Sequence, residues 1–591
     1  MPIRDRKAVV NPPTTPRSHY GDLVAFGPWA PCDAGRAKPV VLCSEDPRLS
    51  VTMKASLALL SCLAVAQAHF AFQPIQPPLR AEDEEEGILS KREAGFFEQL
   101  IDHNDPSLGT FQQRYWWNST YWEGPGSPVV FFTPGESEAA PYTGYLTDRA
   151  ITGAIAKAIG GAVVMVEHRN WGTSLPYAVQ DTKNLQQHTM TNAVLDFANL
   201  ARNVQLPFDK NGSSNAPQAP WVYTGGSYSG VLAAAIAKLA PGTFWAYHSS
   251  SGPVEATYDY WSYFLPIQNG MPKNCSHDFE RIIDHVDNVL LTGSDDEIYS
   301  LKKKFGLQDL AHKEDFASAL VGPLGYWQSI QLYSGYSAFY EMCDTVQGAI
   351  GNFSAPNATY SADGVGLTKA LNNYANWWST NYLPGTCASY GIEEWSDPMN
   401  VACFDSFNAT SPIYTDWSAE NPFGRTWYWM TCNEPFFYWQ TGAPKDRPSI
   451  VSRFVTPEYY QSQCDLFFPR QGEFTYASNA GKTAADLNKA TDGWFFTNTT
   501  RLMWSNGEFD PWRSASVSSE LRPGGPLKSR PGAPVHLIPG SRHCNDLLVR
   551  NGAVNEDMQE VITAEVDQMK AWVDTFYASK GKYRRRSTRS L

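Results

Sequence analysis

At 591 residues the chain is long for one domain and suits two, or one fold with a large insertion. Apolar residues make up 42% and aromatics 13%, which is ample for a sizeable core and excludes bulk disorder. A formal net charge of −13 argues against nucleic acid as a partner and fits a protein that works in acidic surroundings.

The first informative stretch is Met53-Lys-Ala-Ser-Leu-Ala-Leu-Leu-Ser-Cys-Leu-Ala-Val-Ala-Gln-Ala68. A basic start, an apolar run and Ala66-Gln67-Ala68 at its end predict a secretory signal peptide over residues 53–68, too short to span a bilayer. It begins at an internal methionine, and the Pro-rich residues 1–52 would block ordinary recognition of the signal. We therefore expect translation to start at Met53 and residues 1–52 to be a gene-model extension. An acidic run, Ala81-Glu-Asp-Glu-Glu-Glu86, precedes Lys91-Arg92-Glu93-Ala94, which resembles a processing site; residues 69–92 then form a short pro-segment. No later apolar run reaches membrane-spanning length.

Seven N-x-S/T sequons, at Asn118, Asn211, Asn274, Asn352, Asn357, Asn408 and Asn498, support glycosylated export to the extracellular space or to a vacuolar or lysosomal lumen. Seven cysteines follow the signal: Cys275, Cys343, Cys387, Cys403, Cys432, Cys464 and Cys544. In an oxidising compartment six can pair, and Cys544 is expected to be left free because the others cluster between 275 and 464. No C-x-x-C and no His–Cys spacing suits a metal, and neither metal nor cofactor is expected.

Strand and helix patterns then alternate. Pro128-Val-Val-Phe-Phe-Thr-Pro-Gly135 reads as a buried strand ending in a glycine turn. A helix over 150–159 leads to Ala162-Val-Val-Met-Val-Glu-His-Arg169, and a helix over 192–204 leads to the strand at Trp221. A helix over 230–239 and the strand Phe244-Trp-Ala-Tyr-His-Ser-Ser-Ser251 follow. Such alternation predicts a parallel sheet covered on both faces. Residues 258–437 break the rhythm: they are helical in pattern, Trp/Tyr-rich and cysteine-bearing, and read as a helical cap inserted in the sheet. Strands return at Arg501-Leu-Met-Trp-Ser-Asn506 and Pro534-Val-His-Leu-Ile-Pro-Gly540. An amphipathic helix over 555–578 and a basic tail, 580–591, end the chain.

The chemistry centres on Thr224-Gly-Gly-Ser-Tyr-Ser-Gly230, between strand and helix. A nucleophile elbow needs small residues two before and two after its serine; around Ser227 these are Gly225 and Ser229. In an α/β-hydrolase an acid and then a histidine follow the serine along the chain. His543, in a loop past the last strand, is the candidate base, and His536 within the strand pattern reads as a packing residue. Asp510, just past the preceding strand, is the candidate acid, with Glu508 and Asp546 as competitors. The Tyr228 N–H is one candidate oxyanion donor, and the loop at Gly135–Glu136 is the expected source of a second.

The segments Asp102-His103 with Phe111-Gln-Gln-Arg-Tyr115, Glu167-His-Arg169, Gly225-Gly-Ser-Tyr-Ser-Gly230, Ser249-Ser-Ser-Gly-Pro-Val254, Cys432-Asn-Glu434, Asn506-Gly-Glu-Phe-Asp-Pro-Trp512 and His543 carry a resemblance. Together they resemble the prolyl-specific serine peptidases that include lysosomal Pro-Xaa carboxypeptidase, dipeptidyl peptidase II and secreted acid prolyl endoproteases. The resemblance covers residues 96–547 and implies an α/β-hydrolase fold with a helical cap. The hydrolase would occupy residues 93–257 and 438–579, and the cap 258–437. It also implies a Ser227, Asp510 and His543 triad acting on proline-containing peptides, with Trp512 as a wall of the proline pocket. Asn170-Trp171 stands where relatives usually carry two tyrosines, a departure that bears on fine specificity. Glu434 and Glu136 are single carboxylates able to hold a substrate amine. An esterase or lipase on the same fold, and a non-catalytic adhesion protein, are the rival readings. The cleavage mode and the oligomeric state, a homodimer among the options, stay open.

Overall fold

The computed structural model describes Leu79 and residues 94–349, 361–419, 421–496 and 499–581. The extension 1–52, the signal 53–68, the pro-segment apart from Leu79, the tail from 582, and the sequons at Asn352, Asn357 and Asn498 lie outside the described residues.

Six parallel strands form the centre of an eight-stranded sheet: β3 (Val129–Phe132), β4 (Ala162–Val166), β5 (Trp221–Gly226), β6 (Ala246–Ser250), β9 (Leu502–Gly507) and β10 (Val535–Ile538). With β1 (Gly95–Leu100) and β2 (Thr110–Asn118) the order is β1-β2-β4-β3-β5-β6-β9-β10, the arrangement of an α/β-hydrolase. Every residue of β3, β4, β5 and β6 is buried, which is why these strands read as continuous apolar runs. Their side chains still alternate between two layers. Val129 and Phe131 face one with helix Met190–Asn203 and helix Ser227–Leu239, and Val130 and Phe132 face the other with helix Ile151–Ile159 and helix Glu556–Ser579.

The antiparallel edge is where the fold exceeds the sequence reading. β1 and β2 pair in the register Gly95↔Tyr115 to Leu100↔Thr110, and β2 runs antiparallel to β4. The residues of β1 are mostly half exposed, so the segment lacks the apolar signature of the central strands.

Between β6 and β9 the chain is chiefly helical. Helix Lys273–Thr292, helix Ala338–Val346, helix Leu367–Trp377 and helix Arg425–Asn433 build the cap, and helix Pro457–Phe467 continues it past Phe437. Two short strands, β7 (Thr257–Asp259) and β8 (Phe437–Trp439), pair in parallel and draw the ends of the inserted segment together. Disulfides Cys275–Cys343, Cys387–Cys403 and Cys432–Cys464 staple this region, and Cys544 is free and buried, as its isolation in the sequence suggests. Among the described residues no helix is long and apolar enough to cross a membrane.

Asn118 corrects one expectation. It ends β2 with 7% of its surface exposed, and its Nδ2, the atom a glycan would modify, donates to Leu146 O at 2.9 Å. That amide holds the core together and offers no room for a sugar. Asn211 and Asn408 are exposed, and Asn274 is half buried.

Close packing around β5 fixes the turn that follows it. A methyl group on Gly225 would stand 2.2 Å from Ser229 Oγ and 2.6 Å from Ser229 O, the second a backbone atom. Gly225→Ala is therefore expected to destabilise the protein by about 1–3 kcal/mol, the usual penalty of overpacking. Urea unfolding checks this, and an unchanged midpoint would contradict it.

Candidate active site

β5 ends inside the sheet and passes directly into helix Ser227–Leu239, with no loop. Ser227 takes up the change of direction with φ of +56°, a left-handed conformation that costs a serine about 1–3 kcal/mol and persists only where its surroundings enforce it. Here Gly225 lies against Ser229, and a methyl on Gly230 would stand 2.8 Å from Ser250 O at the end of β6. The result places Ser227 Oγ at the head of a helix whose first-turn N–H groups, Tyr228 among them, lack intrahelical acceptors. Ser227 has no exposed surface, and its Oγ has no hydrogen-bond partner.

Asp510 and His543 come from the two neighbouring strand ends. Asp510 follows β9 and caps the turn Pro511–Ala515, accepting from Trp512 N at 3.0 Å. The same oxygen, Oδ1, faces His543 Nδ1 at 2.9 Å. Both side chains are buried, and His543 Nε2 has no partner. With Nδ1–H held by the carboxylate, Nε2 presents its lone pair as a base. The turn after β10 is fixed to the sheet by Cys544 N, which donates to Ser251 Oγ at 2.9 Å, one residue past β6. β6 pairs Ser250 with Gly226, so the serine and the histidine flank the same strand end.

The competitors have other tasks. Glu508 Oε2 accepts from Gly540 N at 2.9 Å and so joins the two late strand ends. His536 is half buried in β10, the edge strand. Asp546 faces away from Asp510, toward Ser250 and His248.

The loop after β3 lies against the elbow: Gly135 has φ of +75°, and a methyl on it would stand 3.4 Å from Ser229 N. Its N–H is already donated to Thr133 Oγ1 at 3.2 Å, so Gly135 is not the free donor the sequence suggested, and Glu136 N–H is the remaining choice there. The Glu136 carboxyl is fully buried with neither oxygen hydrogen-bonded to a partner, and burial pushes its pKa well above the ordinary range.

Glu434 is likewise corrected. Its Oε1 accepts from Met190 N at 3.1 Å, at the start of helix Met190–Asn203, and its Oε2 lies 3.7 Å from Lys482 Nζ. Both oxygens are engaged in holding the fold, and a substrate amine would have to displace Lys482.

Trp512 is fully buried, donates Nε1–H to Gln328 Oε1 at 2.7 Å, and packs beside His543 with ring centroids 6.3 Å apart. Two residues that sequence reasoning missed complete an aromatic arc. Phe436 stands 5.9 Å from Tyr228 and stacks on Tyr438 at 5.7 Å, and Tyr438 meets Trp512 edge-on at 5.2 Å. The arc runs from the elbow to the histidine. Phe437 and Tyr438 both adopt left-handed backbone, φ +55° and +53°, and Tyr438 is anchored by its hydroxyl to Pro253 O at 2.5 Å. The available signal was the run Phe436-Phe-Tyr-Trp439, one proline past Cys432-Asn-Glu434.

The motif Glu167-His-Arg169 lies just past β4 and packs beside the elbow, in the same layer as helix Ser227–Leu239. Glu167 binds Arg114 at 2.6 Å, and Arg169 is buried against Asp196 at 2.5 Å. His168 Nδ1 faces Arg169 O at 2.8 Å, leaving Nε2 to accept from Tyr228 Oη at 3.3 Å. Burial lowers the His168 pKa to about 4 and keeps the ring neutral in that role.

Comparison with known proteins identifies the family. The family described as serine carboxypeptidase S28 matches residues 99–564. The chain is 45% identical to serine protease vicPa of Bipolaris victoriae, over 84% of this chain and 91% of that one. It is 23% identical to lysosomal Pro-X carboxypeptidase of Homo sapiens, over 82% and 89%. Among solved structures, a proline iminopeptidase of Mycobacterium smegmatis matches with a TM-score of 0.32 and 10% identity, over 81% of this chain and 99% of that one. The chain belongs to the serine carboxypeptidase S28 family and is a serine-type peptidase.

Proposed function

We propose that this peptidase cleaves on the carboxyl side of proline, through an acyl-enzyme formed on Ser227 with His543 as base and Asp510 as its orienting acid. The observation that carries the reading is the His543 Nδ1–Asp510 Oδ1 contact of 2.9 Å beside a serine held at φ +56°. His543 Nε2 takes the Ser227 proton as Oγ attacks the carbonyl carbon, then returns it to the departing amine. Water repeats the sequence to release the acyl group. Tyr228 N–H and Glu136 N–H face the developing oxyanion, each such donor contributing about 3 kcal/mol of transition-state stabilisation.

The aromatic arc favours a flat, apolar residue next to the cleaved bond, and proline fits: its ring packs on aromatic faces, and it has no N–H to leave unpaired there. A lipase would favour an apolar, mobile cover, whereas this cap is stapled by three disulfides. Both candidate catalytic side chains, Ser227 and His543, are present, against the adhesion reading. The predicted signal peptide and the relative named as lysosomal support a location outside the cell or in a vacuolar or lysosomal lumen. Glu434 already meets Met190 N and Lys482, which favours recognition of proline itself over capture of a substrate amine there.

Protein expressed from Met53 and assayed at about pH 4–5, near the ordinary carboxyl range, is expected to hydrolyse a chromogenic peptide with proline before the reporter. A pair of such peptides, one with a free and one with a blocked N-terminus, decides between dipeptide release and endoproteolysis; turnover of a simple ester alone would favour the esterase reading. Ser227→Ala should lower kcat on the order of 10⁶-fold and Asp510→Asn about 10⁴-fold; residual proline cleavage near the parent rate would remove Ser227 from the mechanism. Tyr438→Ala is expected to raise KM for the prolyl peptide about tenfold, the loss of one aromatic contact, while turnover of a small ester changes little.

A further inference from the structure

Beneath the His543 turn, in the layer between the sheet and helix Glu556–Ser579, lies a cluster of ionisable groups that the mechanism does not use. His248 on β6, Asp546 on the turn and Glu565 on the helix are all buried, with at most 2% of their side chains exposed. His248 Nε2 stands 3.3 Å from Glu565 Oε1 and 3.5 Å from Asp546 Oδ2. Two serines complete it: Ser250 Oγ donates to Asp546 Oδ1 at 2.5 Å, and Ser505 Oγ to Glu565 Oε1 at 2.5 Å. The neighbouring groups are Val130, Met165, Ile562 and Met569, so the cluster sits in an apolar layer.

Three features make this more than an ion pair. The ring nitrogen that both carboxylates approach is one and the same, Nε2, with Ser505 Oγ also 3.4 Å from it, so a single N–H stands against two carboxylates. His248 Nδ1, Asp546 Oδ2 and Glu565 Oε2 have no hydrogen-bond partner. And Asp546 is three residues from His543, in the turn that Cys544 N ties to Ser251. With both carboxylates ionised and the imidazole protonated, the buried set would carry one uncompensated negative charge; with one carboxyl protonated it is neutral. Unpaired charge in such a layer costs several kcal/mol, so the neutral state is the one that packs.

We propose that His248 and Glu565 are positioning residues for the His543 base: they hold Asp546, and with it the His543 turn, while the cluster is neutral, and release it when the cluster loses a proton. The catalytic base would then have an alkaline limit set in the buried layer, away from the reacting atoms. This inference rests on the proposed role of His543 and Ser227.

The electrostatics agree in sign. Burial raises the Glu565 carboxyl from 4.5 to about 7, against the pull of His248. Burial opposes charge on His248, but Glu565 and Asp546 outweigh it and lift the imidazole from 6.5 to about 10. Asp546, though desolvated, is held below its usual range by His248 and Ser250. A carboxyl raised in the folded state loses its stabilisation as pH climbs from about 4.5 through 7, and a raised imidazole loses its own between about 6.5 and 10; both weaken the fold in the same direction. The other titratable groups facing the cluster are His536 on β10, Cys544 on the turn and Tyr145 below β3. His536 is lowered by burial first and by His248 second, and Cys544 and Tyr145 are raised chiefly by burial, so none of them supplies a compensating positive charge near neutral pH.

The test is the rate at which a fluorophosphonate, which reports Ser227 reactivity without needing a peptide, labels the full chain across about pH 4–9. The parent rate is expected to fall about tenfold between about pH 6 and 9, and Glu565→Gln, which cannot lose a proton, should carry its plateau about one pH unit further. His248→Gln should lower the rate at all pH values by about tenfold, and the double variant His248→Gln/Glu565→Gln should recover most of it, because removing both members leaves less buried charge unpaired. If His248→Gln does not fold, the Glu565→Gln profile decides alone. A parent profile without an alkaline fall, or a Glu565→Gln profile that overlays it, would overturn the proposal. So would a stoichiometric divalent metal in the purified protein, since a cation would then balance the carboxylates. Absence of labelling in the parent at every pH would instead sink the Ser227 reading on which the proposal stands.

Discussion

Most of what this molecule does depends on a steric constraint at one turn. β5 reaches its end with glycine at Gly225 and Gly226, and the chain must enter a helix with no intervening loop. The serine that bridges them is held left-handed, and the surroundings that hold it are backbone atoms: Ser229 O over Gly225, and Ser250 O over Gly230. Backbone cannot yield as side chains do, so the strain is stable. It puts the candidate nucleophile at a strand end beside those that carry Asp510, His543 and the Gly135 loop.

The surroundings divide into a layer that binds and a layer that orients. On the cap side, aromatic rings run from Tyr228 to His543, with Tyr438 held by its hydroxyl to Pro253 and Trp512 by its indole to Gln328. On the other side, the histidine turn is tied to β6 and underlain by the His248 cluster. Polar groups in both layers are buried with few partners, which makes protonation state part of the packing. Glu136 beside the elbow, its pKa raised by burial, and His168 behind Tyr228, lowered by it, are two further instances.

The legibility of the sequence varied with the physics. Central strands announced themselves because burial on both faces demands continuous apolar runs, and Pro128-Val-Val-Phe-Phe and Ala162-Val-Val-Met-Val are such runs. The β1–β2 hairpin did not, because an edge with half-exposed residues carries no such demand. Asn118 looked like any other sequon, since the pattern N-x-S/T says nothing about whether the amide faces solvent or Leu146. The Gly135 N–H reads as free in the sequence, and its use by Thr133 is a matter of one local hydrogen bond.

The sequence alone therefore determined the central strands and the helices between them, the strand–serine–helix turn, the family, the odd cysteine, and the candidates for acid, base and nucleophile. Each of these is either local in the chain or fixed by the order in which pieces occur. Tertiary structure decided the pairing of the six other cysteines, the aromatic arc from Tyr228 to His543, the engagement of Glu434 by Lys482, and the meeting of His248, Asp546 and Glu565 in one buried site. Those depend on which distant segments share a layer of the fold. Burial and partnership are properties of that layer, and no short stretch of sequence carries them.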